Sequence, residues 1–253
     1  MERGKWDEAE TMLSQAVQQC PVDPDARRAY GEALWHRGAA REAVEQFEQA
    51  IANGRQDGAL AVMAGDVYLA TGDTESARRK ANQAIQLDPR LPQAWALRAR
   101  AELRDGRHRA ALADYHRALA QAPSDTLILR ETAELYQSLG EGRRALTTIE
   151  KLVETYPPGE VPPETLALFA TALSGQGRHQ DAAEQLRAVI DRGGPNAEIL
   201  YRIGEAEMLA GNHHRAAEAA SRAVTLNPAH VAARQLQQRI QASLSGPDRA
   251  IRR

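Results

Sequence analysis

Small and apolar residues recur along the chain at the spacing of one face of an α-helix. In one stretch Ala111, Tyr115, Ala118, Leu119 and Ala122 occupy positions i, i+4, i+7, i+8 and i+11. This periodicity predicts an amphipathic helix. Because most of its apolar face is alanine, a neighbouring helix backbone can approach closely.

The same pattern returns about every 34 residues, and a glycine marks each return. These marker glycines are Gly4, Gly38, Gly72, Gly106, Gly140, Gly177 and Gly211. Five residues later stand Ala9, Ala43, Ala77, Ala111, Ala145, Ala182 and Ala216. Most periods end at a proline, namely Pro21, Pro89, Pro123, Pro157 and Pro228. Since proline cannot continue a helix, each period is predicted to hold two helices joined at the glycine, and neighbouring hairpins must stack to bury their faces.

The period and the order of these residues resemble the tetratricopeptide repeat (TPR). Segment 92–125 matches best, with Trp95, Ala99, Gly106, Ala111, Tyr115, Ala118 and Pro123. The resemblance implies an all-α fold, an α-α superhelix (TPR solenoid) of antiparallel helix hairpins with a C-terminal capping helix. It also implies a protein that binds other proteins, although such repeats share packing residues and vary their binding residues.

The register predicts the following organisation. Residues 1–23 form the second helix of a truncated first repeat, with Gly4 at its turn. Six repeats follow at 24–57, 58–91, 92–125, 126–162, 163–196 and 197–230, then a capping helix at 231–244 with Val231, Leu236, Ile240 and Leu244 inward, and a disordered tail at 245–253. We hypothesise that the gene product extends upstream of Met1. Three extra residues fall in the proline-rich segment 156–163, which is either a spacer or a ligand-facing loop or hinge.

Composition and charge narrow the classes of function. The net charge of −2 supplies no field that would attract nucleic acid or an anionic membrane. Cys20 is the only cysteine, so an intrachain disulfide and a thiolate metal cluster are excluded. The few lysines among 32 basic residues indicate a GC-rich and bacterial genome. No signal peptide or membrane-spanning run is found, which predicts the cytoplasm by default; an N-terminal segment missing here would allow a periplasmic or lipid-anchored protein.

Sequence motifs for catalysis are absent, since no phosphate loop, zinc-protease helix or complete nucleophile elbow occurs. His108, His179 and His213 each follow a marker glycine by two residues, where Trp6 stands in the first period. In the resembled family a ring packs at the hairpin turn in this place, so these histidines are expected to be structural rather than metal ligands. We therefore expect a non-catalytic protein with no cofactor and no metal.

The resemblance also indicates where a partner would bind, because the first helix of each repeat lines the concave face in this family. By register the outward residues of these helices are Arg28, Glu32, Trp35, Asp66, Leu69, Arg100, Leu103, Arg104, Arg130, Glu134, Gln137, Thr171, Tyr201, Glu205 and Met208. Their mixed character suits a protein or an extended peptide. The Lys and Asn clamp with which some relatives bind a C-terminal carboxylate is absent, since Arg28, Glu32, Met63, Gln93 and Leu97 stand in those places.

Several of these side chains allow two interpretations. Arg100, Arg104 and Arg130 are expected near one another, either as a site for an acidic ligand or in an ion-pair network with Asp66 and Glu134. Trp35 is either an anchor for the partner or packed on the next repeat. Arg98 and Glu102, four residues apart, are expected to pair along one helix.

The leading interpretation is a TPR scaffold or adaptor that organises a protein complex. A second is the docking or regulatory portion of a longer enzyme or export-machinery protein, truncated upstream. A third is a helical-repeat RNA binder, against which the net charge and the unlike inner residues argue. The sequence leaves the oligomeric state open.

Overall fold

A computed structural model describes residues 2–54 and 57–245, and within these ranges the chain is helical with no strand. The helices are α1 (Glu2–Gln19), α2 (Pro24–Arg37), α3 (Ala40–Ala52), α4 (Gly58–Ala70), α5 (Thr74–Leu87), α6 (Pro92–Arg104), α7 (His108–Gln121), α8 (Thr126–Ser138), α9 (Gly142–Glu154), α10 (Pro163–Gly175), α11 (His179–Gly193), α12 (Ala197–Leu209), α13 (His213–Leu226) and α14 (Val231–Ser245). The predicted all-α class is confirmed. The helices form two compact units, residues 1–128 and 129–253.

Glycine at the hairpin turn allows the chain to reverse between two helices. At the end of α4, Gly72 has a φ of 87°, a left-handed value that residues with a Cβ rarely adopt. The N–H of Gly72 donates to the carbonyl of Leu69, and the N–H of Asp73 donates to the carbonyl of Tyr68. The Asp73 carboxylate then accepts from Ser76 N–H at 2.9 Å and caps α5. Asp73 therefore ends one helix and starts the next.

The first marker glycine departs from this pattern. Gly4 was expected in a turn, but it lies inside α1. A hairpin turn needs a helix on each side, and the described chain provides only α1 here. The structure therefore corrects that expectation, while the other marker glycines, from Gly38 to Gly211, have φ values between 72° and 89°.

The first unit is held together by alanine and glycine contacts within its hairpins. Ala43, Ala77 and Ala111, each five residues after a marker glycine, have no solvent-exposed surface. Phe47 of α3 is 1% exposed and packs against Gly31 of α2 so closely that a Cβ at residue 31 would lie 2.6 Å from its ring. The missing side chain of Gly31 thus leaves space on α2 that the Phe47 ring fills, so that α3 packs tightly against α2.

The second unit repeats this packing and includes the proline-rich segment. Val161 is buried in a cluster with Leu166 and Val189, and Tyr156 packs against that cluster. The Arg192 guanidinium donates to the carbonyl oxygen of Val161. The two ends of the segment are thus tied to the core, whereas residues 157–160 are exposed. The choice between a spacer and a ligand-facing loop or hinge stays a prediction.

The last helix of the second unit is only partly as expected. Leu236 and Ile240 are buried against α13, as predicted, but Val231 and Leu244 are 55% and 46% exposed. The expectation was wrong for these two because they occupy the first and last turns of α14, whereas the buried pair lies in its middle. The predicted tail, apart from Ser245, lies outside the described residues.

Candidate functional site

The candidate binding site consists of the outward residues of the first helices, which we call the first-helix surface. It comprises residues of α2, α4 and α6 in the first unit and of α8, α10 and α12 in the second. On α6, Leu97 and Ala101 are buried, whereas Arg100, Leu103 and Arg104 are half-buried or exposed. Each first helix thus has one packed side and one open side.

One residue of the predicted set does not belong to the open side. Leu69 is only 9% exposed and is part of a core cluster with Ala77 and Ala101. It lies in the last turn of α4, beside the hairpin turn, where it packs instead of facing solvent. The other predicted residues, from Arg28 to Met208, are all half-buried or exposed.

On α2, Arg28 and Glu32 form an ion pair along the helix, one turn apart. The Nε of Arg28 is buried and has no hydrogen-bond partner in the described part of the chain. Trp35, one turn further on, leaves 36% of its surface exposed. The open side of α2 therefore combines a neutralised charge pair with an accessible aromatic ring.

On α4 and α6 the predicted charges join neighbouring repeats. Arg100 of α6 lies 3.4 Å from the carboxylate of Asp66 on α4. This contact supports the ion-pair interpretation for Arg100. Arg104, one turn along α6, is exposed and makes no ion pair within residues 2–54 and 57–245. Arg130 belongs to the second unit, so its proximity to these two stays a prediction.

In the second unit the predicted polar residues are partly engaged by neighbours that sequence reasoning missed. Arg202 donates to the Thr171 hydroxyl at 2.6 Å. The ring of His230 lies 5.4 Å from that of Tyr201, and its Nε2 lies 3.1 Å from Glu198. The only sequence signal for these two neighbours is their place in register, because Arg202 follows Tyr201 and His230 precedes α14 by one residue.

On the first-helix surface, the pKa of Tyr201 is shifted furthest from its ordinary value. Burial of its hydroxyl, with a hydrogen bond to Glu205 and the charges of Glu205 and Glu198, raises the pKa of Tyr201 to about 12. A phenol with so high a pKa stays neutral and acts as a hydrogen-bond donor near neutral pH. Both predicted residues, Tyr201 and Glu205, are therefore coupled to each other before any partner binds.

The predicted pairing of Arg98 with Glu102 is wrong. Arg98 instead donates two hydrogen bonds to Asp114 of α7, and Glu102 accepts from Arg107. The guanidinium of Arg98 has two candidate acceptors, Glu102 on its own helix and Asp114 on α7. Because the two helices lie close together, it donates to the buried Asp114 carboxylate. This cluster faces α7, away from the first-helix surface.

The histidines after the marker glycines are only partly as expected. His108 and His213 are exposed, so they do not pack as rings at the turn, while His179 is half-buried. Helical side chains lean toward the N-terminus, so a ring at the first helical residue extends past the helix end.

Among the described residues, no three His, Cys, Asp or Glu side chains lie close enough together to hold a metal ion. None of the described helices has the length and apolar character to cross a bilayer.

Solved structures with the same fold cover most of the chain. The C-terminal part of a TPR repeat-containing protein from Cytophaga hutchinsonii superposes with a TM-score of 0.71 at 15% identity, covering 93% of this chain and 95% of that one. PilF from Pseudomonas aeruginosa gives 0.69 at 16% identity, covering 87% and 97%. YrrB, described as a TPR protein with an unusual peptide-binding site, gives 0.68 at 19% identity, covering 77% and 99%. At these identities the likeness establishes the solenoid fold alone.

Sequence comparison supplies the family. No curated protein sequence matches the chain significantly. Profiles described as Tetratricopeptide repeat match residues 1–58, 62–126 and 167–231, and a second such profile matches residues 102–161. These matches span well over half of the sequence. The chain therefore belongs to the tetratricopeptide repeat family.

Proposed function

We propose that this protein is a non-catalytic adaptor that binds an extended segment of a partner protein along the first-helix surface and so organises a protein complex. Tetratricopeptide repeats serve as scaffolds for protein–protein interaction, and the chain consists of them almost throughout. A role in protein–protein interaction follows from the family. We add that the partner binds on the first-helix surface and as an extended segment.

The observation that carries the proposal is the two-sided character of the first helices. Their buried sides are mostly apolar, with alanine, glycine and leucine the commonest residues, as in α6 with Ala94, Leu97 and Ala101. Their open sides instead carry both charge signs and exposed aromatic or aliphatic surface, as in Trp35 and Leu103. An extended peptide satisfies such a surface through several moderate contacts spread over successive helices.

Arg104 and Trp35 are the residues most available to a partner in the first unit. The exposed Arg104 makes no ion pair among the described residues, whereas the neighbouring Arg100 is bound to Asp66. A guanidinium without a carboxylate can accept one from a ligand. Trp35 offers a large flat contact of the kind that dominates binding energy at interfaces. We therefore expect partner segments to combine an acidic and an apolar residue.

Peptide selection on the intact chain tests the proposal. Peptides are selected from a displayed random library, labelled with a fluorophore, and their Kd is measured by fluorescence anisotropy. Arg104→Glu and Trp35→Ala should each weaken binding by about tenfold or more, because one reverses a contacting charge and the other removes a ring. Arg109→Glu is the matched control, since Arg109 is an exposed arginine on the second helix α7.

The pattern across the three variants decides the outcome. Loss of binding in Arg104→Glu and Trp35→Ala with retention in Arg109→Glu supports the first-helix surface. Retention in both test variants, with thermal unfolding curves unchanged, would contradict it. Tighter binding to single-stranded RNA than to any selected peptide in the same assay would contradict the adaptor role itself.

A further inference from the structure

A second cleft lies within the second unit, between two second helices and the buried side of a first helix. It has a volume of about 510 Å³ and is bounded by α11, α12 and α13. Its floor is apolar, with Leu200 and Ile203 of α12 almost fully buried beside Ala219 of α13. Arginines line its rim, including Arg215 and Arg222, two turns apart on α13. An apolar floor beside cationic groups is the composition of a ligand pocket.

The first unit contains the equivalent cleft, and there the protein's own side chains bridge it and pair with one another. That cleft lies between α5 and α7 and has a volume of about 370 Å³. Arg98 reaches across it, stacks 4.7 Å from the centre of the Trp95 ring, and donates two hydrogen bonds to Asp114. Arg117 donates to the same carboxylate at 2.9 Å. The positive charges of Arg98 and Arg117 are thus neutralised by a carboxylate of the protein itself.

The repeat register shows what the second unit lacks. Counted from Gly106 and Gly211, Asp114 corresponds to Ala219, and Arg117 corresponds to Arg222. Likewise Arg98 corresponds to Ile203 and Trp95 to Leu200. The second unit thus has the methyl group of Ala219 where a carboxylate would neutralise Arg222. It has the aliphatic Ile203 in place of the bridging arginine.

The remaining charges of the open cleft do not fill that role. Arg187 is paired with Glu207, a fully buried carboxylate that also accepts from Asn212 at 2.7 Å. Arg222 makes no ion pair in the part of the chain that the structure describes, although two carboxylates, Glu218 on α13 and Asp191 on α11, also line the cleft. The exposed Arg222 therefore borders an apolar floor without the carboxylate that its counterpart Arg117 has.

We propose that this cleft is a second binding site, which takes an acidic side chain from a protein segment whose neighbouring residues are aliphatic. The ligand carboxylate occupies the place that Asp114 fills in the first unit and pairs with Arg222. The flanking aliphatic side chain rests on Ile203 and Leu200. The rim of the cleft lies on the second helices α11 and α13, and its floor is the buried side of α12. The cleft is therefore separate from the open side of α12 that belongs to the first-helix surface, and the chain can hold two segments at once.

Titrations followed by ¹H–¹⁵N NMR on the intact chain test this site with defined probes. The main probe is acetyl-Leu-Leu-Asp-Leu-Leu-amide, whose only carboxylate is a side chain. Its partner probes replace Asp by Asn, or carry Asn together with a free C-terminal carboxylate. We expect the first probe to shift the backbone amides of residues 215–222, and the Asn probe to bind about tenfold more weakly or not at all.

Variants of α13 and a matched control locate the contact. Arg222→Gln should weaken binding of the Asp probe about tenfold, since a charge-assisted hydrogen bond is lost. Ala219→Asp should abolish it, because the new carboxylate pairs with Arg222 as Asp114 pairs with Arg117. Glu218→Gln should strengthen it by removing a repelling carboxylate. Arg117→Gln, in the bridged cleft of the first unit, should leave binding of the Asp probe unchanged.

Three results would overturn the assignment. The first is equal binding of the Asp and Asn probes. The second is an Ala219→Asp variant that binds as well as the parent chain. The third is binding only of the probe with a free C-terminal carboxylate, which would make the ligand a chain terminus instead of an acidic side chain. Arg104→Glu should not change these titrations, so failure here is distinguishable from failure of the adaptor proposal.

Discussion

Arg98 of α6 and Asp114 of α7 form a two-pronged ion pair that joins the helices of one hairpin. Nε of Arg98 lies 2.7 Å from one carboxylate oxygen of Asp114, and Nη2 lies 2.8 Å from the other. Asp114 is 3% exposed, so its charge depends on these donors in place of water. The hydrogen bonds to Asp114 raise the pKa of Arg98, which keeps the guanidinium charged.

Replacing Asp114 by Asn should destabilise the first unit. The amide keeps the shape of the side chain but removes the negative charge, which leaves the partly buried guanidinium of Arg98 without its counter-charge. We expect the free energy of unfolding to fall by about 2 kcal/mol, measured by urea denaturation followed by circular dichroism. Asp191→Asn, at an exposed position, is the control and should change it by less than about 0.5 kcal/mol. Equal stability of the two variants would show that the ion pair contributes nothing.

Gly31 should not tolerate a methyl group. A Cβ at this position would lie 2.6 Å and 2.8 Å from ring carbons of Phe47, which is itself buried. The resulting strain should outweigh the gain of about 1 kcal/mol in helix propensity, so that Gly31→Ala lowers the free energy of unfolding by about 1 kcal/mol or more. Gly175→Ala places the same methyl group in open space and should be neutral or stabilising. A stabilised Gly31→Ala variant in thermal unfolding would contradict the close packing of α2 on α3.

Gly72 tests the turn between α4 and α5. Its φ of 87° disfavours any residue with a Cβ, although nothing lies within 4 Å of the position that Cβ would take. Gly72→Ala should therefore cost about 1 kcal/mol through backbone strain alone. Gly72→Asn should cost less, because asparagine adopts left-handed conformations more readily. Differential scanning calorimetry of both variants checks the order, and a reversed order would argue against strain as the cause.

Stability should depend on pH through Tyr201 under alkaline conditions. The pKa of this residue is raised from 10.0 to about 12, so between these values the folded state retains a proton that the unfolded state has lost. By linkage the free energy of unfolding falls as the pH rises through this window, and below it the contribution is fully present. Tyr201→Phe should reduce the slope, measured as urea midpoints between pH 9 and pH 12. Absorbance at 295 nm provides a second measurement, and an unchanged late titration in the variant would contradict the assignment.

Much of the fold was predictable because the packing rules are local and repeated. Ala43, Ala77, Ala111 and Ala145 occupy the same column of the repeat, and each is fully buried. A column of small residues has one physical use in stacked helices, which is to let backbones approach. Gly4 shows the limit of this reasoning. It occupies the column of the marker glycines, yet it lies inside α1 and not in a turn.

The open sides of the helices were harder to predict. The register placed Leu69 outward, but its side chain packs into the core beside the turn. The spacing of Arg98 and Glu102 suggested an ion pair along one helix, but the structure pairs Arg98 across the hairpin. A long flexible side chain reaches several acceptors at similar distances, so the approach of the neighbouring helix decides between them.

The sequence by itself determined the helix pairs, their period and the residues that press them together, because those depend on side-chain size and backbone freedom at each position. Only the tertiary structure decided which charges neutralise one another and which remain available. Arg117 and Arg222 occupy one column of the repeat, yet the first donates to Asp114 while the second borders an open cleft with an apolar floor. That difference depends on which side chains of the adjacent helices lie next to each arginine. A single column of the repeat does not give this information.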